Sequence, residues 1–220
     1  ILQKMIGKIK KFNFKSLFIL NTLALTLTSY LFNNFIFIGV FTLFFFISLF
    51  ATKNGLEIIR KLNLLQNIRT EGPFNHYKKS DTPTMGGVFL IIPFLIFLLI
   101  ITINLGSLKL FLLLLTTFGF FIIGFLDDYL SIRNKENTGL KTKEKLILQS
   151  FISIIFILLA YEKNLINPLI SVSDSWGINL NIFILPISFL VLVGISNSVN
   201  LTDGLDGLAA GCSGIVFYGL

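Results

Sequence analysis

Apolar residues in this chain fall into long blocks, and the polar residues between them are clustered. Hydrophobic runs cover 17–32, 35–51, 85–105, 108–126, 146–160 and 181–196, and a seventh opens at 208 and reaches Leu220. A helix needs about 20 apolar residues to cross a bilayer. The runs therefore predict an all-α fold, a polytopic transmembrane helix bundle. The first two are short and parted only by Asn33 and Asn34, which fits two tight passes or one long bent element. The last holds about 13 residues, too few to cross, so the chain is expected to be a fragment truncated within a span at its C-terminus. Lys4, Lys8, Lys10, Lys11 and Lys15 ahead of the first run resemble a signal sequence. With no small-residue cleavage site and many later spans, an uncleaved anchor is the expectation.

Composition removes the other classes. The 220 residues are 54% hydrophobic, include 25 Phe and are only 13% charged, with a mean hydropathy of +0.85. Soluble domains carry about 25% charged residues, and a soluble fold of this length still needs a polar skin. The lone Cys212 excludes a disulfide scaffold and fits a small packing residue among Ala209, Ala210, Gly211, Ser213 and Gly214. Residues 1–220 are thus expected to form a single, incomplete integral membrane domain.

Positive charge orients that domain. Five Lys lie in the N-terminal tail, six Lys and Arg in the 52–84 loop and five in the 127–145 loop, leaving Lys109 and Lys163. If every run crosses, 16 of 18 fall on one side, which the positive-inside rule makes cytoplasmic. The net charge of +7 is then mostly topology, and no nucleic-acid partner is needed to explain it. Segment 161–180, with Tyr161 and Trp176 suited to the interfacial aromatic belt, is the sizeable outside loop.

Three polar clusters stand at the cytoplasmic ends of the runs, the third spanning a loop near 197–207. The first ends in Thr82-Pro-Thr-Met-Gly-Gly87. Pro83 disfavours helix at Thr82, so a helix should start near Thr84, capped by Thr82 or Thr84. Free helix N–H groups beside a lysine suit a phosphate, although a plain capped loop explains the same residues. The second is Asp127-Asp128-Tyr129. Adjacent carboxylates at a membrane edge repel each other and oppose a helix dipole; a divalent cation such as Mg²⁺ would relieve them, and solvation is the alternative. The third places Asn197, Asn200, Asp203 and Asp206 at three-residue spacing, with Gly204 and Gly207 directly after the two acids. In a near-helical turn they share a face. An EF-hand would need other spacing and a bidentate Glu at its twelfth position. Carboxylates for a metal, a lysine and helix ends for phosphates, and lipid alongside point to phosphoryl transfer at a membrane surface.

These motifs closely resemble the bacterial phospho-N-acetylmuramoyl-pentapeptide transferases (the MraY family) of the polyprenyl-phosphate N-acetylhexosamine-1-phosphate transferase superfamily. So do Gly139-Leu140, Lys145 and Gln149, and the resemblance runs from about Gln66 to the C-terminus. It implies transfer of phospho-MurNAc-pentapeptide from UDP-MurNAc-pentapeptide to undecaprenyl phosphate, giving lipid I and UMP in the first membrane step of peptidoglycan synthesis. The expected cofactor is Mg²⁺. The resemblance makes Asp127, Asp128 and Asp203 the catalytic and metal-holding acids, one of the first two being the candidate base for the lipid phosphate. Lys79, Thr84, Lys145, Asn197, Asn200 and Asp206 would bind substrate. The setting is the bacterial cytoplasmic membrane with the site on its cytoplasmic face. The partners are the two substrates and the bilayer, and a homodimer is admitted.

Two positions stand apart. His76 is the single histidine and is assigned no catalysis. Asp81 departs from the family's usual Gly before Thr-Pro-Thr and puts an extra carboxylate near the expected phosphate site. Family members also continue past this length with further spans, another metal-binding aspartate and a histidine-rich loop, so this chain alone is expected to be inactive. A related hexosamine-1-phosphate transferase would share the Asp-Asp and Asp-Gly-x-Asp-Gly elements. A transporter or non-catalytic subunit is the reading from another class, but a transporter would place ionisable groups near mid-membrane.

Overall fold

The structure is a computed structural model and describes residues 35–62, 64, 83–135, 139–173, 176–203 and 207–219. The run 17–32 and the positions Lys79, His76, Asp81, Thr82 and Asp206 lie outside the described residues. The described elements are helices α1 (Phe35–Lys61), α2 (Gly87–Leu105), α3 (Leu108–Asn134) and α4 (Thr142–Glu162), strands β1 (Leu169–Ser173) and β2 (Trp176–Asn179), a 3-10 turn Asn181–Phe183, and helices α5 (Ile184–Thr202) and α6 (Leu208–Gly219). This is an all-α membrane bundle carrying one small hairpin.

Two compact units divide the chain, Ile1–Asn54 and Gly55–Leu220. The described part of the first is the N-terminal portion of α1, where Phe45 and Phe46 meet edge to face at 5.7 Å and the Thr42 hydroxyl donates to Gly39 O. In the second unit, Gly55 lies against the ring of Phe89, leaving no room for a side chain. Helices α2 to α6 then pack each against the next along the chain.

Among the described residues, five helical stretches are long and apolar enough to cross a membrane: Thr42–Lys61, Gly87–Leu105, Leu108–Asn134, Thr142–Glu162 and Asn181–Thr202. The protein is a multi-pass membrane protein. The 19 residues of α2 rise about 28 Å at 1.5 Å each, close to the thickness of the hydrocarbon core. Ile59, Leu98, Leu112, Ile123, Ile157 and Val193 are buried between elements, while Phe50, Ile103, Ile147 and Leu190 face outward. Such an exterior would be an aggregation hazard in water and is ordinary in lipid.

Short connections make neighbours antiparallel. Gly106 ends α2 in the left-handed region at φ 57°, its N–H donating to Thr102 O, and α3 begins two residues later. At the far end of α4, β1 and β2 pair antiparallel, Leu169 opposite Asn179 and Ile170 opposite Ile178, with an irregularity between Ser171 and Ser173.

The elements differ from the sequence expectation in several places: α1 continues past the apolar run's end at 51 to Lys61, and α5 past 196 to Thr202, each entering a segment expected as loop. The helix expected to end with the apolar run at 126 continues to Asn134, so Asp127 and Asp128 project from within a helix instead of ending it. Residues 161–180, expected as a loop, contain the hairpin. Helix α2 starts at Gly87 with Gly86 as its N-cap and no side-chain cap bond, because the Thr84 backbone is drawn aside, its N–H donating to Leu64 O at 3.1 Å.

Candidate active site

The antiparallel order brings the start of α2, the last turns of α3, the start of α4 and the end of α5 to one end of the bundle. Asp127 and Asp128, consecutive on α3, point to different neighbours. Asp127 Oδ1 accepts the Leu140 N–H at 2.9 Å, and its Oδ2 accepts from Lys145 Nζ at 2.7 Å. The two side chains keep 16% (Lys145) and 25% (Asp127) exposure, so the pair is half-withdrawn from water yet reachable. Gly139 makes the Leu140 bond feasible. The chain there passes directly against the Asp127 main-chain carbonyl, and any Cβ would overlap it.

Asp128 turns toward the entry of α2. Its Oδ2 accepts the Met85 N–H at 3.1 Å, and the Thr84 side chain also hydrogen-bonds its carboxylate. Met85 holds φ 66°, a left-handed conformation uncommon for a residue with a side chain. That turn aims its N–H at the acid, and flexible Gly86 and Gly87 follow it. The N-terminal phosphate cradle expected at this helix start thus donates its leading N–H to the protein's own carboxylate.

Lys145 lies one turn into α4 and joins three helices. Beyond Asp127 on α3, its ammonium approaches Asn200 Oδ1 on α5 at 3.4 Å, long for a hydrogen bond. Glu144 closes the α4 N-terminus, accepting the Lys141 N–H at 2.9 Å, where a carboxylate also favours the helix dipole. One turn deeper, Gln149 Nε2 donates to Ser196 Oγ at 3.1 Å and Gln149 Oε1 accepts from Asn197 Nδ2 at 2.8 Å.

Among the residues expected to form the site, Thr84, Asp127, Asp128, Lys145 and Asn200 come together, and Asn197 joins them through Gln149. Asp203 does not. It is the exposed residue that ends α5, its N–H donating to Val199 O at 3.2 Å. Among the described residues no three His, Cys, Asp or Glu are grouped to hold a metal ion, so the expected Asp127–Asp128–Asp203 set is not assembled. The three-residue spacing expected to give a shared face runs on α5 through Asn197 and Asn200 to Asp203, whose N–H still makes the helical bond to Val199 O; Asp206 lies outside the described residues. The donor chemistry of the remaining pair still suits Mg²⁺. A carboxylate offers about four lone-pair sites, more than the donors found here, and Mg²⁺ is commonly held by one or two carboxylates plus substrate phosphates.

Sequence reasoning gave no role to Gln149, Ser196 or the backbone donors at Met85 and Leu140. The first had a signal: Lys145, Gln149 and Ser153 recur every four residues and mark one polar stripe on an otherwise apolar helix. The backbone donors had none, since a main-chain N–H looks alike at every residue.

The sequence profile described as "Glycosyl transferase family 4" matches residues 110–220, which include the acids of α3, Lys145 and all of α5. The chain belongs to glycosyl transferase family 4. Residues 79–91 also match "Phospho-N-acetylmuramoyl-pentapeptide-transferase signature 1", the stretch that contains Thr84 and Met85. Its relatives include proteins named phospho-N-acetylmuramoyl-pentapeptide-transferase from three Prochlorococcus marinus strains. The strain MIT 9215 protein is 88% identical, that of MIT 9312 is 85% identical and that of MIT 9301 is 84% identical. In each case the match takes in 98% of this chain and 60% of the relative. The chain therefore spans about three-fifths of the length of these relatives.

Proposed function

We propose that the whole protein transfers phospho-MurNAc-pentapeptide from UDP-MurNAc-pentapeptide to undecaprenyl phosphate, releasing lipid I and UMP at the cytoplasmic face of the bacterial inner membrane. The observation that carries this reading is the Asp127–Lys145 contact of 2.7 Å beside Asp128, at the end of lipid-crossing helices, in a chain 88% identical to a protein bearing that transferase name. Both substrates are anionic at the reacting atoms and one is a lipid. A site for them needs positive charge, an acceptor for the lipid phosphate and access from the bilayer.

In this reading an oxygen of the lipid phosphate attacks the sugar-linked phosphorus of the UDP-sugar. A new pyrophosphate bond forms as the old one breaks, and UMP leaves. The lipid phosphate is already a competent nucleophile, so direct attack needs no covalent enzyme intermediate. Asp127 has a donor on each oxygen and serves to hold Lys145. Asp128 is the acid that orients the lipid phosphate or takes its proton. Lys145 and Asn200 face the anionic substrates, Thr84 and Lys79 approach the nucleotide-sugar, and Asn197, Asp203 and Asp206 complete the nucleotide side. Mg²⁺ belongs to the proposal, with Asp127 and Asp128 as the carboxylates that would hold it; when bound it supplies neutralisation of pyrophosphate charge.

The test uses the full-length protein carrying Asp127→Asn, Asp128→Asn or Asp203→Asn, with UMP release from UDP-MurNAc-pentapeptide and undecaprenyl phosphate as readout. Losing a group that stabilises or orients transition-state charge typically costs about 10²–10³ in rate, and a loss of that order is expected for the two α3 acids. Wild-type-like rates in all three variants would overturn the site. Turnover of UDP-GlcNAc but not of the muramoyl substrate would move the protein to the neighbouring hexosamine branch.

A further inference from the structure

We propose that Gln149 is a positioning residue for Lys145 and Asn200, fixing the register of α4 against α5 so that the ammonium stays over the carboxylate pair; the inference rests on the transferase reading above. Gln149 is 2% exposed and sits four residues from Lys145, on the same helix face. Both ends of its amide cross to α5, to Ser196 and to Asn197. Its orientation is determined by what lies opposite. Asn197 Nδ2 also donates to Val193 O at 2.8 Å, and a carbonyl can only accept, so nitrogen is the Asn197 atom that faces Gln149, and Gln149 must answer with its oxygen. That leaves its nitrogen for Ser196.

The two helices are thus joined by two rungs. The inner rung at Gln149 is short, buried and directional. The outer rung, Lys145 to Asn200, is long at 3.4 Å and built on a flexible four-carbon stem. The outer rung cannot set the register by itself. A slip of one residue moves a helix about 1.5 Å along its axis and turns the face by about 100°, enough to carry Lys145 away from Asp127. One turn deeper the stripe stops: Ser153 is fully buried and its hydroxyl has no hydrogen-bond partner among the described residues. The directional contacts are therefore confined to the turn just beneath the site. A leucine at 149 would fill similar space, so packing alone does not call for an amide there.

The test compares Gln149→Leu, Ser196→Ala and each of these combined with Lys145→Ala in the full-length protein. Thermal unfolding is followed together with kcat and the KM for UDP-MurNAc-pentapeptide. Misplacing a group by about 1 Å can cost up to about 10²-fold. A loss in kcat/KM of about tenfold or more is expected for Gln149→Leu, and a smaller loss for Ser196→Ala. In the Lys145→Ala background either change should add less than about twofold, since residues acting through one another do not add. Equal losses in both backgrounds, or wild-type kinetics, would overturn the proposal and leave Gln149 as interhelical glue. If Gln149→Leu does not fold, Ser196→Ala keeps the Asn197 bond and carries the same comparison. Reductive methylation of Lys145, read by mass spectrometry, needs no substrate. It should speed up several-fold when Gln149 or Ser196 is changed, and an unchanged rate would count against the proposal. If the wild-type protein releases no UMP, the transferase reading fails while methylation still decides the role of Gln149.

Discussion

Two helix seams in the second unit are built on opposite plans. Between α2 and α3 the contact is apolar. Leu98 is buried there, and Thr102 turns back on its own helix, its hydroxyl donating to Leu98 O at 2.6 Å. A groove of about 450 Å³ lined by Leu95, Leu99, Leu114 and Phe118 remains between them. Between α4 and α5 the polar groups reach across the gap instead, Gln149 to Ser196 and Asn197, and Lys145 to Asn200. Lipid provides no hydrophobic drive for helices to associate, so an apolar seam is held by shape alone, whereas crossing hydrogen bonds select one register. The bundle places its directional contacts where α4 and α5 meet beside the candidate site, and leaves the other seam to packing.

Substitutions in the two seams should separate accordingly. The largest effect is expected for Lys145→Met in the full-length protein, which strips Asp127 of its counter-charge and leaves the anionic substrates unneutralised. UMP release should fall by about 10²-fold or more, and a rate within a few-fold of wild type would break the contrast. Next is Gly139→Ala, whose Cβ overlaps the Asp127 carbonyl. Overpacking of this kind costs about 1–3 kcal/mol, so the melting temperature and the activity should fall together, because Leu140 can no longer reach Asp127. Leu98→Ala in the apolar seam opens a void and should lower stability by about 2–3 kcal/mol with kcat per folded molecule unchanged. Thr102→Val is the smallest, within about 0.5 kcal/mol, since its hydroxyl bonds its own helix. A larger loss there would show that the apolar seam also depends on polar contacts.

The helices were readable from the sequence because a run of some 20 apolar residues has few other uses, and the acids stood out because such a chain otherwise avoids charge. What stayed hidden has specific causes. Helix α3 runs past Asp128 because Tyr129, Leu130 and Ile132 continue it up to the left-handed Lys135, and a hydropathy pattern that stops at the first charge cannot see this. The hairpin of 169–179 was missed although Ile170-Ser171-Val172-Ser173 and Trp176-Gly177-Ile178-Asn179 alternate, because each segment is only four or five residues long. Faces within the spans were also illegible, since a helix apolar all round has no moment to orient it. The polar stripe on α4 could be read, but its partners on α5 could not be matched without the three-dimensional register. The grouping of Asp203 with the α3 acids rested on the family resemblance and not on spacing, and among the described residues no three acids are gathered together.

The assignment of catalysis to the polar end and of mere packing to the apolar seam is tested most directly by UMP release per folded molecule in full-length Asp128→Asn and Leu98→Ala proteins, each with its melting temperature measured. Asp128→Asn should lose activity by about 10²-fold or more near the wild-type melting temperature, and Leu98→Ala should melt lower while turning over at the wild-type rate. Near-wild-type turnover by Asp128→Asn, or a catalytic loss confined to Leu98→Ala, would contradict it.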